Sequence, residues 1–325
     1  MILKTILSKS SSLFQNIFCK RLQKGDKGMT QTIGFIGLGN MGLPMATNLV
    51  KAGYDVIGYD TNPASNDKFV AQGGKIVANI VELIQQSNII LTSLPTPTVV
   101  SSVYRGEQGL ITLANEQTIL VDFSTVDPQL NEELYNEAKV KNLSYLGAPV
   151  SGGVIGAINA TLTIMVGGDE EPLNSMQPIF EKLGKNIYHL GNSPSIGTRI
   201  KLLNNLMIAF YTEAVAETVV LGEQMGIEAD VLFEVLSNSY GQSRIFERNY
   251  LEYMKNENYN PGFTTNLLLK DLKIAQEMAS QAGVPLPIGD HLVSLYTVIS
   301  EEGYGEKDMA ASYLSLKNKT KVEQL

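Results

Sequence analysis

The sequence predicts an α/β domain on a doubly wound parallel sheet, followed by an all-α domain. Three observations carry that prediction. Short apolar runs alternate with helical stretches from Gln31 to about residue 190. Strand-like runs then cease at about Ile196, and a glycine-rich turn directly follows the first run. Alternating strands and helices give a parallel sheet covered on both faces.

Taken in order, 32–37 is a short apolar run ending in glycine, and 41–52 follows as a helix. Strands are expected at 54–59, 88–94 and 118–123, with helices at 81–86 and 128–141 between them. Further runs at 144–147, 161–166 and 185–189 are expected to extend the same sheet. Beyond them the periodicity is helical at 198–225, 229–238, 265–282, 286–301 and 308–318. The expected division is a dinucleotide-binding domain over 29–193 and an all-α substrate and dimerisation domain over 194–325.

Residues 1–28 stand apart. They hold Lys4, Lys9, Lys20, Arg21, Lys24 and Lys27 against Asp26 alone. Apolar positions at Leu3, Ile6, Leu7, Leu13, Phe14, Ile17 and Phe18 fall at helical spacing, with serines crowding 8–12. That is the composition of a mitochondrial transit peptide. The competing reading is an upstream extension ahead of a true start at Met29. The first places the protein in the mitochondrial matrix, the second in the cytoplasm.

Composition narrows the chemistry. The 325 residues are 44% hydrophobic and 18% charged, as in globular proteins, and 25 Lys+Arg against 33 Asp+Glu leave a charge of -8. Nucleic-acid binding requires phosphate-neutralising charge, so no nucleic-acid partner is expected. No membrane partner is expected either, since no apolar run approaches the roughly 20 residues of a span. One cysteine, Cys19, and two histidines, His189 and His291, are a poor stock for a metal site, so none is expected.

The first motif is Gly37-Leu38-Gly39-Asn40-Met41-Gly42, a G-x-G-x-x-G between a strand and a helix. Its glycines suit a tight turn, approach of the backbone to a pyrophosphate, and close helix–strand packing. The helix N-terminus adds unpaired N–H groups and a positive dipole end. Asp60 ends the second strand about 20 residues on, where a carboxylate accepts from a ribose 2′-hydroxyl. A carboxylate there repels a 2′-phosphate, so NAD is expected rather than NADP, on a Rossmann-type domain.

Two further segments bear on a substrate. Gly147-Ala148-Pro149-Val150-Ser151-Gly152-Gly153 offers backbone N–H groups that can seat a small anion, although it can equally be a plain turn. In Gly197-Thr198-Arg199-Ile200-Lys201-Leu202-Leu203-Asn204-Asn205, Lys201 and Asn205 are four apart and share a helix face. A lysine there is either a snorkelling surface side chain or, desolvated in a cleft, a general acid–base group.

Taken together, GFIGLGNMGLPMATNL (34–49), SLP (93–95), DFSTVDP (122–128), APVSGG (148–153), GTRIKLLNN (197–205) and LLLKDLKIA (267–275) resemble the β-hydroxyacid dehydrogenase family, over nearly all of residues 31–318. The resemblance implies an NAD-dependent oxidoreductase with its active site between the two domains. It implies interconversion of a small β-hydroxyacid and its semialdehyde, foremost 3-hydroxyisobutyrate and methylmalonate semialdehyde. Tartronate, succinic or sulfolactaldehyde reduction, or a non-catalytic dinucleotide-binding relative, are the alternatives.

By the same resemblance Lys201 is the catalytic acid–base and Asn205 supports substrate and lysine. Ser124, Ser151, Gly152 and Gly153 anchor the substrate carboxylate. Leu94, Pro95 and Thr125 line the nicotinamide side, and Lys270 closes over the cofactor. Asp271 either orients Lys270 or is an ordinary surface acid. Gly147 stands where the family usually has an acid. Arg199 matches the sulfolactaldehyde reductases, but the intact Ser151-Gly152-Gly153 favours a carboxylate. The long apolar helix after Lys201 and the resemblance together imply a homodimer or homotetramer.

Overall fold

A computed structural model describes residues 31–322. The leader reading at 1–28, the start at Met29 and the last three residues lie outside the described residues. Six strands form a parallel sheet: β1 (Thr32–Ile36), β2 (Asp55–Tyr59), β3 (Lys75–Ile76), β4 (Ile89–Thr92), β5 (Ile119–Asp122) and β6 (Ser144–Gly147). Their spatial order is β3-β2-β1-β4-β5-β6. The chain starts at β1, winds outward through β2 and β3, then returns to β4 on the other side. Loops leaving β1 and β4 therefore diverge and open a crevice at the carboxyl ends of the strands.

The strands hold the centre because their side chains are apolar on both faces. β4 and β5 are buried throughout. One face is covered by α1 (Gly42–Lys51), through Met45, Ala46 and Leu49, and by α8 (Glu170–Phe180). The other is covered by α3 (Ile80–Gln86), α4 (Pro97–Tyr104), the short α5 (Leu110–Leu113) and α6 (Pro128–Val140). Thr96 and Asp127 each cap a helix that opens with proline, accepting from Val99 and Gln129 amides. A short α2 (Pro63–Ala71) connects β2 to β3.

The last strands do not extend this sheet, contrary to the sequence expectation. β7 (Val150–Ser151), β8 (Leu162–Val166) and β9 (Gly184–His189) form a separate three-stranded sheet, with α7 (Gly153–Ile158) between β7 and β8. β7 runs antiparallel to β8, and β8 parallel to β9. A glycine pair joins the two sheets: Gly147 N–H donates to the Gly167 carbonyl at 3.1 Å, and Gly167 N–H donates back at 2.8 Å. A Cβ at Gly147 would meet the Pro194 carbonyl oxygen at 2.3 Å. The acid usual at that position has no room in this chain.

The remainder is helical: α9 (Ile196–Gln224), α10 (Ala229–Ser237), α11 (Arg244–Arg248), α12 (Thr265–Gln281), α13 (Pro287–Ile299) and α14 (Ser312–Val322). Single π-turns follow α11 and α13, a feature the periodicity did not reveal. α9 has 29 residues, about 43 Å at 1.5 Å per residue. Its first turns rest on β6 and β8, and its later turns on α12 and α14. The start of α9, which carries Lys201 and Asn205, is thus the joint between the two parts.

Candidate active site

The glycine loop lies at the mouth of the crevice. Gly37 has φ +91°, and its N–H donates to the Tyr59 carbonyl at 3.0 Å. A Cβ at Gly42 would fall 1.8 Å from the Gly37 carbonyl oxygen, so α1 can pack on β1 only with glycine there. At Gly39 the space around a Cβ is open, and Gly39 and Asn40 are exposed. Met41 precedes α1 without a side-chain cap. The loop therefore fits a dinucleotide: tight where backbone must approach backbone, open where phosphates would lie.

Leu38 enters this site only through its backbone, since its side chain is 1% exposed in the core. Its N–H donates to Asp60 Oδ2 at 2.7 Å, and Asn62 N–H donates to Asp60 Oδ1 at 2.7 Å. Asp60 thus ties the glycine loop to the end of β2 before any ribose is present. Each carboxylate oxygen keeps a second lone pair for a ribose hydroxyl.

On the other side of the crevice the loop after β5 is built on a buried carboxylate that sequence reasoning missed. Asp122 is fully buried; its Oδ1 accepts from Thr92 Oγ1 at 2.8 Å and from Ser124 N–H at 3.0 Å. Burial raises its pKa to about 6, against the hydrogen bonds from Ser124 and Thr92 and the nearby Lys270 charge, which pull it down. Ser124 Oγ in turn accepts from Leu94 N–H at 2.9 Å. The 93–95 and 122–125 loops are therefore one unit. Leu94 and Thr125 are half-buried and Pro95 is exposed.

Ser151, Gly152 and Gly153 lie in β7 and the turn into α7, with φ of +132° at Gly152 and +63° at Gly153. Both glycines are exposed, and Ser151 pairs with Thr163 of β8.

Across from these loops, α9 and α12 bring together the residues the motifs single out. Lys201 is half-buried, with its ammonium partly removed from water by the surrounding protein. Desolvation lowers its pKa from 10.5 to about 8, with Asp271 opposing that fall and Lys270 adding to it. Among the described residues its Nζ makes no hydrogen bond. Asn205 is 1% exposed, and its Nδ2 donates to Asp271 Oδ2 at 2.6 Å. Lys270 Nζ donates to the Thr125 carbonyl at 2.7 Å, joining the helical domain to the β5 loop. It also lies 3.1 Å from Asp271 Oδ1 as an ion pair, without the geometry of a hydrogen bond.

Asp271 is 2% exposed, so the surface-acid reading does not hold. A signal was present: Leu268, Leu272 and Ala275 place the buried face of α12 where Asp271 also lies. Arg199 points away to the junction. It pairs at 3.9 Å with Glu132 of α6, whose Oε1 also accepts from Ser193 and Ser195.

A glycine loop at a sheet's switch point and a half-buried lysine at the start of the helical part are the features of an NAD(P)-dependent oxidoreductase acting on a CH–OH group. Comparisons with known proteins agree. Residues 32–191 match the NAD-binding domain family of 6-phosphogluconate dehydrogenase. Residues 196–316 match the NAD-binding family of NADP-dependent 3-hydroxyisobutyrate dehydrogenase. The chain is 36% identical over 279 residues to 2-(hydroxymethyl)glutarate dehydrogenase of Eubacterium barkeri, covering 86% of this chain and 92% of that one. It is 35% identical over 295 residues to the mitochondrial 3-hydroxyisobutyrate dehydrogenase of Drosophila melanogaster, covering 88% and 90%. The solved 3-hydroxyisobutyrate dehydrogenase of Mycobacterium tuberculosis, with L-serine, superposes with a TM-score of 0.79 at 34% identity, covering 89% and 100%. The chain belongs to the β-hydroxyacid dehydrogenase family.

Proposed function

We propose that this protein is an NAD-dependent dehydrogenase interconverting 3-hydroxyisobutyrate and methylmalonate semialdehyde, with Lys201 as general acid–base. The observation that carries the mechanism is the half-buried Lys201 ammonium beside Asp271 and Lys270, with no hydrogen bond of its own among the described residues and a pKa lowered to about 8. A lysine so placed exchanges a proton near neutral pH, where an exposed one stays charged. The relatives named as 3-hydroxyisobutyrate dehydrogenases support the substrate.

NAD, when bound, supplies the hydride acceptor. Gly37, Leu38, Gly39, Asn40, Met41 and Gly42 would hold its pyrophosphate, and Asp60 its adenosine ribose. Leu94, Pro95 and Thr125 would flank the nicotinamide. The Ser124 hydroxyl and the Ser151-Gly152-Gly153 segment hold the substrate carboxylate. In oxidation, neutral Lys201 takes the hydroxyl proton as the carbon–hydrogen bond breaks; in reduction, the ammonium returns it to the carbonyl oxygen. Asn205 fixes the substrate beside that nitrogen. The intact Ser151-Gly152-Gly153 segment supports a carboxylate substrate over a sulfonate.

We also infer assembly with further copies of the chain, supported by an apolar face of α9 left uncovered at Ile200, Leu203, Met207 and Tyr211. For the mechanism, Lys201→Ala is expected to lower kcat/KM by roughly a thousandfold, the scale of a lost general acid–base. NADH affinity, read by nucleotide fluorescence, is expected to stay within about twofold. Turnover within about tenfold of wild type would remove Lys201 from the mechanism.

A further inference from the structure

Asp271 is a carboxylate inside a helix packed against another helix, 2% exposed. Burying such a charge is costly unless it is paired, and its removal from a pair leaves the partners uncompensated. Its two oxygens are used unequally. Oδ2 accepts from Asn205 Nδ2 at 2.6 Å, and Asn205 Oδ1 accepts from Asn204 Nδ2 at 3.1 Å, so both ends of the Asn205 amide are fixed. Oδ1 is buried without a hydrogen bond, 3.1 Å from Lys270 Nζ. The same Lys270 ammonium donates to the Thr125 carbonyl of the β5 loop at 2.7 Å, so it lies between Asp271 and the other domain.

We propose that Asp271 is the positioning residue of the proton-transfer site, holding Asn205 by its amide and balancing the charge of Lys201 against that of Lys270. The inference rests on Lys201 being the proton-transfer group. Two charged groups act on Lys201, Asp271 and Lys270, both from α12, and Asp122 at the end of β5 is coupled to Lys270 in turn. Asp271 favours the ammonium and Lys270 the neutral amine. Because Lys270 is held by the other domain, the proton affinity of Lys201 depends on the two domains being closed on each other.

The test measures kcat/KM for hydroxyacid oxidation by the full chain, from about pH 6 to about pH 10, in wild type, Asp271→Asn, Asp271→Glu and Lys270→Met. Oxidation needs neutral Lys201, so the rate rises with pH along a limb set by that group. Asp271→Asn removes a favouring negative charge and is expected to move the limb down by about one pH unit, with the plateau falling roughly tenfold or more. Asp271→Glu restores the limb. Lys270→Met removes an opposing positive charge and moves the limb up by about one pH unit. A purely structural role would lower the plateau and leave the limb in place, and that result overturns the proposal. Limbs of both variants moving in the same direction overturn it too. Where Asp271→Asn does not fold, the direction of the Lys270→Met limb decides. An active Lys201→Ala enzyme would instead remove the reading beneath it, whatever Asp271 does.

Discussion

Removing an ammonium from water favours its neutral form, and Lys201 illustrates how far one carboxylate can hold that back. Desolvation takes it from 10.5 to about 8, with Asp271 resisting. A base must be deprotonated to accept a proton, so the sign is fixed: the oxidation rate rises as pH climbs through about 8, and the reverse reduction, which needs the ammonium, falls over the same range. Initial rates in the two directions across that range check this, and an oxidation limb near the ordinary lysine value would contradict it. At this scale much was legible. Lys201 and Asn205 share a face by spacing alone. Their partners were less so, because a carboxylate's worth depends on burial: Asp122 and Asp271 read in the sequence like any acid, and only the apolar positions around them betray that water does not reach them.

Among the elements, α9 has the most to do. Its buried side carries Leu202, Leu206, Ala209, Val215 and Val219, while Leu203 is 51% exposed, Met207 45% and Tyr211 41%. These three recur at four-residue steps and make an apolar stripe along one helix. Contiguous apolar surface of that kind is uncommon on a monomer and suits a self-complementary contact about a two-fold axis. The protein is therefore expected to run as a dimer or larger assembly in light scattering with size exclusion. Leu203→Glu is expected to shift it toward monomer; a monomeric wild type would contradict the stripe's role. The parallel sheet and helix order were readable from period and length. The separate β7–β8–β9 sheet was not, since periodicity marks a strand but not its neighbour. There the partner is chosen by the Gly147–Gly167 bridge and by a two-residue strand too short to show a pattern.

For the whole molecule, polar contacts join the two domains at the site and at the junction before α9. Lys270 reaches Thr125, and Glu132 gathers Ser193, Ser195 and Arg199. In the proposed mechanism the glycine loop holds the dinucleotide, and Lys201, on the helical side, exchanges the proton. Relatives of similar identity carry different substrate names: one is a 2-(hydroxymethyl)glutarate dehydrogenase, another a 3-hydroxyisobutyrate dehydrogenase. The most direct measurement is steady-state nucleotide reduction by the purified full chain, with NAD and NADP offered separately against 3-hydroxyisobutyrate, L-serine, 2-(hydroxymethyl)glutarate and glycerate. The highest kcat/KM is expected for 3-hydroxyisobutyrate with NAD. A higher value for another acid, or for NADP, would contradict the assignment, and no reduction with any of them would contradict the activity itself.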